Sequence, residues 1–388
     1  MIDLSSGPGR DRSAVGVVTV APLLLVLLAA DATISGGGGD GGTLPLPRRG
    51  ALPAAAAVVP GVLLHGSGHF AGGDRPTAWR LLRVEGLGLG MMLAGVGGLA
   101  VTGASQRTIE PFIWTAAAGG GLFATSWAAD LYGVLAPPGG TGDPLRLLPG
   151  LEARFGARYV SDPTLAGDAL LGLALDLRSG RWRFSPGAWV ATDVGSNTRY
   201  EGTLAFRIVG PRAGPDAAVA TDGSFFDVVA GGIHHRYSEE MSGPLRAAFD
   251  MTSFELRADG RYDLHRYARS LTGSFVEASA GVGIGAYHYP AASTSEANTL
   301  LLARFGFGLY LGRRADRWGE LRAYYDHRHD DYAGGMKMPG LGSGTIGHFG
   351  VDGRAFLTPH WGFRAEVEAG SAWVAGLALV YRYGRVAL

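Results

Sequence analysis

From Leu151 to the C-terminus the chain alternates apolar and polar residues with a period of two, and no other feature constrains the fold as strongly. A strand points successive side chains to opposite faces, so this alternation describes ribbons with one apolar and one wet face. In Leu151-Glu152-Ala153-Arg154-Phe155-Gly156-Ala157-Arg158-Tyr159 the odd positions are apolar and the even ones polar or glycine. Phe254, Leu256, Ala258, Tyr262 and Leu264 interleave in the same way with Glu255, Arg257, Asp259, Arg261 and Asp263. Near the end, Trp361, Phe363, Ala365, Val367 and Ala369 interleave with Arg364, Glu366 and Glu368.

Less strict members of the pattern bring the expectation to about twelve strands. They fall near 150–160, 168–178, 181–192, 197–209, 224–237, 252–264, 274–289, 298–312, 318–329, 344–357, 361–370 and 373–384. Turn chemistry separates them, as in Ser179-Gly180, Gly210-Pro211, Thr358-Pro359 and Gly370-Ser371. A soluble sandwich buries its apolar faces in one core, whereas a membrane barrel turns them to lipid. Charges of both signs on the polar faces suit a lumen in which Arg pairs with carboxylates. Aromatics near the strand ends, among them Tyr159, Trp182, Tyr237, Tyr289, Trp318, Trp361, Trp373 and Tyr383, suit interfacial girdles.

Composition agrees with export and argues against an ordinary cytosolic enzyme. The 388 residues include 64 Gly and no Cys, with 18% charged residues, below the usual ~25%. Without cysteine there is no disulfide, thiolate metal site or cysteine nucleophile. A net charge of zero gives no footprint for nucleic acid. The sole lysine, Lys337, is followed by Met338, which excludes a Walker motif. Strand glycines such as Gly281, Gly283 and Gly285 share one face, where they permit tight curvature or a close interior plug.

The N-terminal part divides into three. Residues 1–32 carry Arg10 and Arg12, an apolar run from Ala14 to Ala30, and the small-x-small site Ala30-Asp31-Ala32, the pattern of a cleaved signal peptide. Residues 33–50 form a glycine-rich linker. Residues 51–140 are helical and rich in small residues, with Asp74 as a helix cap and apolar stretches at Gly86–Val101 and Pro111–Ala136. Gly86, Gly90, Ala94 and Gly98 recur every four positions, a spacing that lets helices approach closely. The expectation is a hairpin lying in the periplasm or against the barrel.

In its alternation, aromatic positions and final Trp373–Tyr383 strand, the region from Gly150 to Leu388 resembles Gram-negative outer-membrane β-barrel proteins. The resemblance implies an antiparallel transmembrane barrel at 150–388, contact with outer-membrane lipid, and recognition of the last strand by the barrel-assembly machinery. The chain ends Arg385-Val386-Ala387-Leu388 and departs from the terminal Phe or Trp that the family favours.

The expected function is structural or passive transport through a narrow pore, without catalysis or cofactor. A small solute or ion would be the cargo. The polar side chains expected in the lumen are Glu152, Arg154, Arg158, Glu255, Arg257, Asp259, Arg261, Arg322, Asp352, Arg354, Arg364, Glu366 and Glu368. Two alternatives stand beside this: a lipid-modifying outer-membrane hydrolase and a soluble periplasmic sheet protein. A hydrolase needs Ser and His on neighbouring apolar faces, and the strands offer no such pair. The compact His65-Gly66-Ser67-Gly68-His69 precedes the barrel and reads first as a glycine turn, and second as a metal or catalytic pair. The polar run Tyr324 to Tyr332 reads as a solvated strand end, and no metal site is assigned.

Overall fold

The computed structural model describes residues 49–388 except 104–108, 162–167, 193–196, 238–247, 328–335, 339–341 and 371. The expected signal peptide, nearly all of the glycine-rich linker and the 328–332 part of the Tyr324–Tyr332 run lie outside the described residues. Twelve antiparallel strands close into a barrel: β1 (Leu151–Ser161), β2 (Asp168–Ser179), β3 (Trp182–Ala191), β4 (Thr198–Val209), β5 (Phe225–Tyr237), β6 (Phe249–Asp263), β7 (Ser274–Tyr289), β8 (Thr294–Arg314), β9 (Arg317–His327), β12 (His348–Phe356), β13 (Trp361–Ala369) and β14 (Trp373–Tyr383). A separate two-stranded ribbon, β10 (Met336–Met338) with β11 (Gly342–Ile346), stands in the β9–β12 connection.

Closure is made by the first and last strands, with Leu151 opposite Tyr383 and Ser161 opposite Trp373. The twelve-stranded sheet then has no open edge, which is the condition for a sheet to cross lipid. The alternation sorts the side chains as the sequence implies. Phe155, Phe254 and Trp373 are more than 60% exposed on the outer face, while Glu152, Asp227 and Glu320 point inward and are buried. Gly281 makes room inside for Arg257, since a Cβ there would lie 2.4 Å from the Arg257 Cβ. Gly281 thus accommodates an inward arginine, and among the described residues no helix enters the lumen.

Four helices precede the barrel among the described residues: α1 (Ala51–Val58), α2 (Ser67–Gly72), α3 (Arg75–Val101) and α4 (Ile109–Leu135). The Asp74 side chain caps α3 by accepting from the Thr77 N–H at 3.2 Å, with proline in the first turn. α3 and α4 pack as a hairpin through glycines. A Cβ on Gly119 would lie 2.5 Å from the Gly88 carbonyl oxygen, and one on Gly95 would lie 2.6 Å from that of Phe112. The seam follows Gly88 and Gly95, two turns apart, because 3.6 residues per turn bring i and i+7 to one face. Gly86 and Gly90 of the expected four-residue stripe face open space.

The hairpin lies outside the barrel, along β7 and β8. Gly121 of α4 fits against the Phe305 ring, and Tyr132 stands 6.1 Å from Phe307, both rings on the outer face of β8. Leu81, Ala129, Tyr132, Ala136, Leu264 and Leu271 form a core closed by Tyr262, Val276, Phe307 and Leu309 of the wall. The same apolar exterior that faces outward around the rest of the barrel is here covered by helix. α3 is long and apolar enough to cross a membrane, with a mean hydropathy of 1.6 over its best window.

Candidate functional sites in the lumen and on the flank

Two places gather polar side chains, and they do so by different means. Inside the barrel the alternation projects a charge from nearly every second residue, and neighbouring strands supply the opposite sign. Arg261 bonds Glu277 at 2.6 Å and Glu320 at 3.0 Å, and its guanidinium lies 3.8 Å from the Phe275 ring centroid. Arg322 bonds Glu277 at 2.8 Å and also Asp352. Arg354 bridges Glu152 and Glu320, each at 3.1 Å. Arg364 bridges Asp352 at 3.0 Å and Glu366 at 3.2 Å, while Arg158 reaches Glu366 at 2.7 Å. Arg257 joins Glu255 and Asp259, and Glu368 accepts from the Tyr324 hydroxyl. Arg154 lines the same space.

The structure thus places all thirteen named side chains on the inner face and joins most of them in one lattice. It adds Asp176, Arg183, Glu201, Arg207, Asp227, Glu277 and Glu320; of these, Glu201 and Arg207 alternate with Tyr200, Leu204, Phe206 and Ile208 in the sequence. A cavity of about 440 Å³ remains among these charges. Below it, at the rim where the chain enters and leaves the barrel, the lumen is floored. Inward Phe275, Tyr310, Trp318, Phe356 and Val380 pack with Leu145 of the segment that leads into β1, and with Leu148, Val386 and Leu388. Trp318 Nε1 donates to the Asp143 carbonyl at 2.9 Å, and Leu147 and Ala387 form a bridge across the mouth.

The second place is where the helices meet the β6–β7 turn. Gly66 adopts a left-handed conformation, φ 87°, and starts α2 so that three amides converge on one carboxylate. Asp130 of α4 accepts from the N–H groups of Gly66, Gly68 and His69 at 3.0–3.1 Å, and from His69 Nδ1 at 2.6 Å. His69 Nε2 lies 3.2 Å from Ser270 Oγ, on the short 3-10 turn Arg269–Leu271. Beside them, His65 Nδ1 lies 2.6 Å from Ser126 Oγ, and the His65 N–H donates to Glu85 at 2.9 Å. His65, His69 and Asp130 are fully buried, and Ser270 is 6% exposed. Burial lowers the His65 pKa, against the opposing pull of Glu85 and Asp130.

The turn itself is held from two sides. Arg80 of α3 donates to the Tyr267 carbonyl while the Tyr267 hydroxyl donates to the Arg80 carbonyl. The Tyr132 hydroxyl of α4 donates to the Thr272 carbonyl at 2.7 Å. Gly133 passes so close that a Cβ there would lie 2.4 Å from the His69 ring. The glycine turn expected at 65–69 is confined to His65 and Gly66; from Ser67 the chain is helical, and His69 on that helix is an imidazole joined to both a carboxylate and a hydroxyl. Ser270 and Asp130 had no signal in the strand pattern, because neither stands on a strand and the partners are 201 and 61 residues from His69. Among the described residues no cluster suits a metal ion.

No protein-family model and no curated protein matches this sequence. Solved structures do share the barrel architecture at low identity. The β domain of the Bordetella autotransporter BrkA is 16% identical, with 61% of this chain and 99% of that chain covered and a TM-score of 0.33. The translocator domain of autotransporter NalP from Neisseria meningitidis is 11% identical over 60% of this chain and 88% of that one, TM-score 0.34. The NanC porin is 9% identical over 61% of this chain and 100% of that one, TM-score 0.34. The likeness is one of β-barrel architecture alone.

Proposed function

We propose that this chain is an outer-membrane barrel with a structural role, whose lumen is closed to passage and whose outer wall holds a helical hairpin in the bilayer. The apolar floor at the chain-entry rim carries this reading. A passive pore needs a continuous wet path, and here aromatic rings, the segment leading into β1 and the C-terminal tail fill the mouth. Above the floor, each arginine of the lattice is matched by carboxylates. Such a layer suits a barrel of this size whose interior is filled by its own side chains.

Orientation follows from the connections. The rim with the chain ends carries short turns such as Gly180-Arg181 and Ala315-Asp316, and short turns face the periplasm in barrels of this class. The long β9–β12 connection then faces outward. Outer-membrane lipid is the partner of the apolar wall, and barrel-assembly machinery the partner during biogenesis. Fractionation with heat-modifiable migration on gels tests the location, and planar-bilayer recording tests the closed lumen. The expected result is a heat-modifiable outer-membrane protein without steady conductance. A sustained unitary conductance that changes in Arg257→Gln or Arg364→Gln overturns the closed lumen in favour of a passive pore for ions.

A further inference from the structure

The lumen accounts for the barrel's charges but leaves the flank cluster without a role. We propose that Ser270, His69 and Asp130 form a hydrolytic triad that cleaves acyl esters of membrane lipid at the periplasmic rim. The proposal rests on the membrane location proposed above. Its first basis is geometry. His69 Nε2 stands 3.2 Å from Ser270 Oγ, and Nδ1 stands 2.6 Å from Asp130 Oδ1, so one imidazole joins a hydroxyl on one side to a carboxylate on the other. These are the distances and the order of contacts that activate a serine. Asp130 as acceptor fixes the hydrogen on Nδ1 and leaves the Nε2 lone pair aimed at the hydroxyl.

Its second basis is rigidity. Asp130 is held by three backbone amides, and the Ser270 turn is held by Arg80 on one side and Tyr132 on the other. Preorganised groups of this kind keep a nucleophile and its base in register. A purely structural tie between helix and barrel would be served by any hydroxyl and carboxylate in contact. Here the imidazole between them is held so tightly that Gly133 has no room for a Cβ.

The surroundings indicate the substrate. Leu52, Val59, Leu63 and Trp79 are each more than half exposed around the glycine turn, an apolar surface suited to acyl chains. Arg75, Arg83 and Arg269 are exposed at the same end and suit a lipid phosphate. In the reaction Ser270 Oγ attacks the ester carbonyl carbon and its proton passes to His69 Nε2. The carbonyl π pair moves to oxygen, then returns as the C–O bond to the glycerol breaks, and the leaving alkoxide takes the proton from His69. Water next attacks the acyl-serine, giving its proton to His69. Collapse of that intermediate releases the fatty acid and restores Ser270. One ester and one water become one acid and one alcohol.

Because Ser270 is nearly closed off, turnover depends on a lipid interface that opens the approach to it. Micellar lipid is therefore expected to be cleaved faster than a soluble short-chain ester. The test uses full-length protein shown to be folded by heat-modifiable migration. Fluorophosphonate labelling is mapped by mass spectrometry, and fatty-acid release is followed from mixed micelles of phosphatidylethanolamine and phosphatidylglycerol. Ser270→Ala is expected to abolish labelling and lower release by roughly 1,000-fold or more, and Asp130→Asn to lower release by about 100-fold or more with the fold kept. Folded wild-type protein that is neither labelled at Ser270 nor releases more fatty acid than Ser270→Ala overturns the proposal. Labelling without lipid cleavage overturns the substrate assignment. Failure of the membrane location itself would appear separately, as a protein released in salt-washed periplasmic extract without heat-modifiability.

Discussion

The lumen and the flank both bury polar side chains, yet they solve the cost of burial in opposite ways. In the lumen permanent cations meet carboxylates projected from neighbouring strands, so that Arg261, Arg322 and Arg354 each touch two acids. On the flank a single carboxylate, Asp130, is surrounded by backbone amides and one imidazole. Matching charge with charge fills space and fixes register. Matching it with amides and an imidazole leaves a proton free to move along a line of three groups. The difference is between a region that fills space with matched charges and one that, on the proposal above, can pass a proton.

The largest expected effect lies in the lumen. Arg261→Ala strands Glu277 and Glu320 without their shared cation, and breaking a buried pair of this kind costs about 3–5 kcal/mol. The measurement is the urea midpoint of heat-modifiable migration, with the hairpin still docked. A midpoint unchanged by this substitution would remove the lattice from the account of stability. Next comes Asp130→Ala, which leaves three amides and the His69 ring without an acceptor, at about 2–4 kcal/mol. Hydrogen exchange should rise across residues 61–72 while the strands stay protected. Joint loss of both would show that the two regions do not act separately.

Gly133→Ala sharpens the comparison further. Its methyl group displaces the His69 ring, with an expected loss of about 1–3 kcal/mol in hairpin docking and loss of any fluorophosphonate labelling. The smallest effect is one of pH. Burial holds His65 below its ordinary value, so the unfolded segment binds a proton before the folded one does. The stabilising contribution is complete above about pH 6.5 and fades as pH falls below it towards the lowered folded value. The groups facing this ring are Glu85 from α3 and Ser126 and Asp130 from α4, and Phe123 packs against it. Exchange across 61–72 should quicken on acidification from neutrality to pH 5.5, beyond the intrinsic change, and His65→Gln should remove that excess.

The barrel was legible because strand geometry writes itself into sequence every second residue. Leu151 to Tyr159 or Phe254 to Leu264 show both faces at once, and the structure closes twelve strands within a few residues of the expected bounds. Glu277 was harder to see, since Ser274, Ala278, Ser279 and Gly281 around it carry no facial preference, whereas Glu320 shares the face of Arg322 in β9. The flank cluster was out of reach for a different reason. His65-Gly66-Ser67-Gly68-His69 reads as a turn, yet the turn ends at Gly66 and a short helix begins at Ser67. What turns His69 into a candidate base is Ser270, which lies 201 residues away in a connection without periodicity. The every-fourth-residue stripe on α3 pointed to helix contact and met it at Gly98, against the Phe112 ring, while Gly86 and Gly90 face open space and the rest of the seam follows Gly88 and Gly95.

The docking of the hairpin on β7 and β8 also sets an order of events. The helices at 75–135 are synthesised before any residue of the wall they cover, which spans 274–314. Until that wall exists they have no apolar surface on which to rest, and every membrane met on the way competes for them. Their glycines give the close helix crossing of the finished hairpin. Assembly of this protein is therefore a matter of timing: the helices are made before the wall they cover.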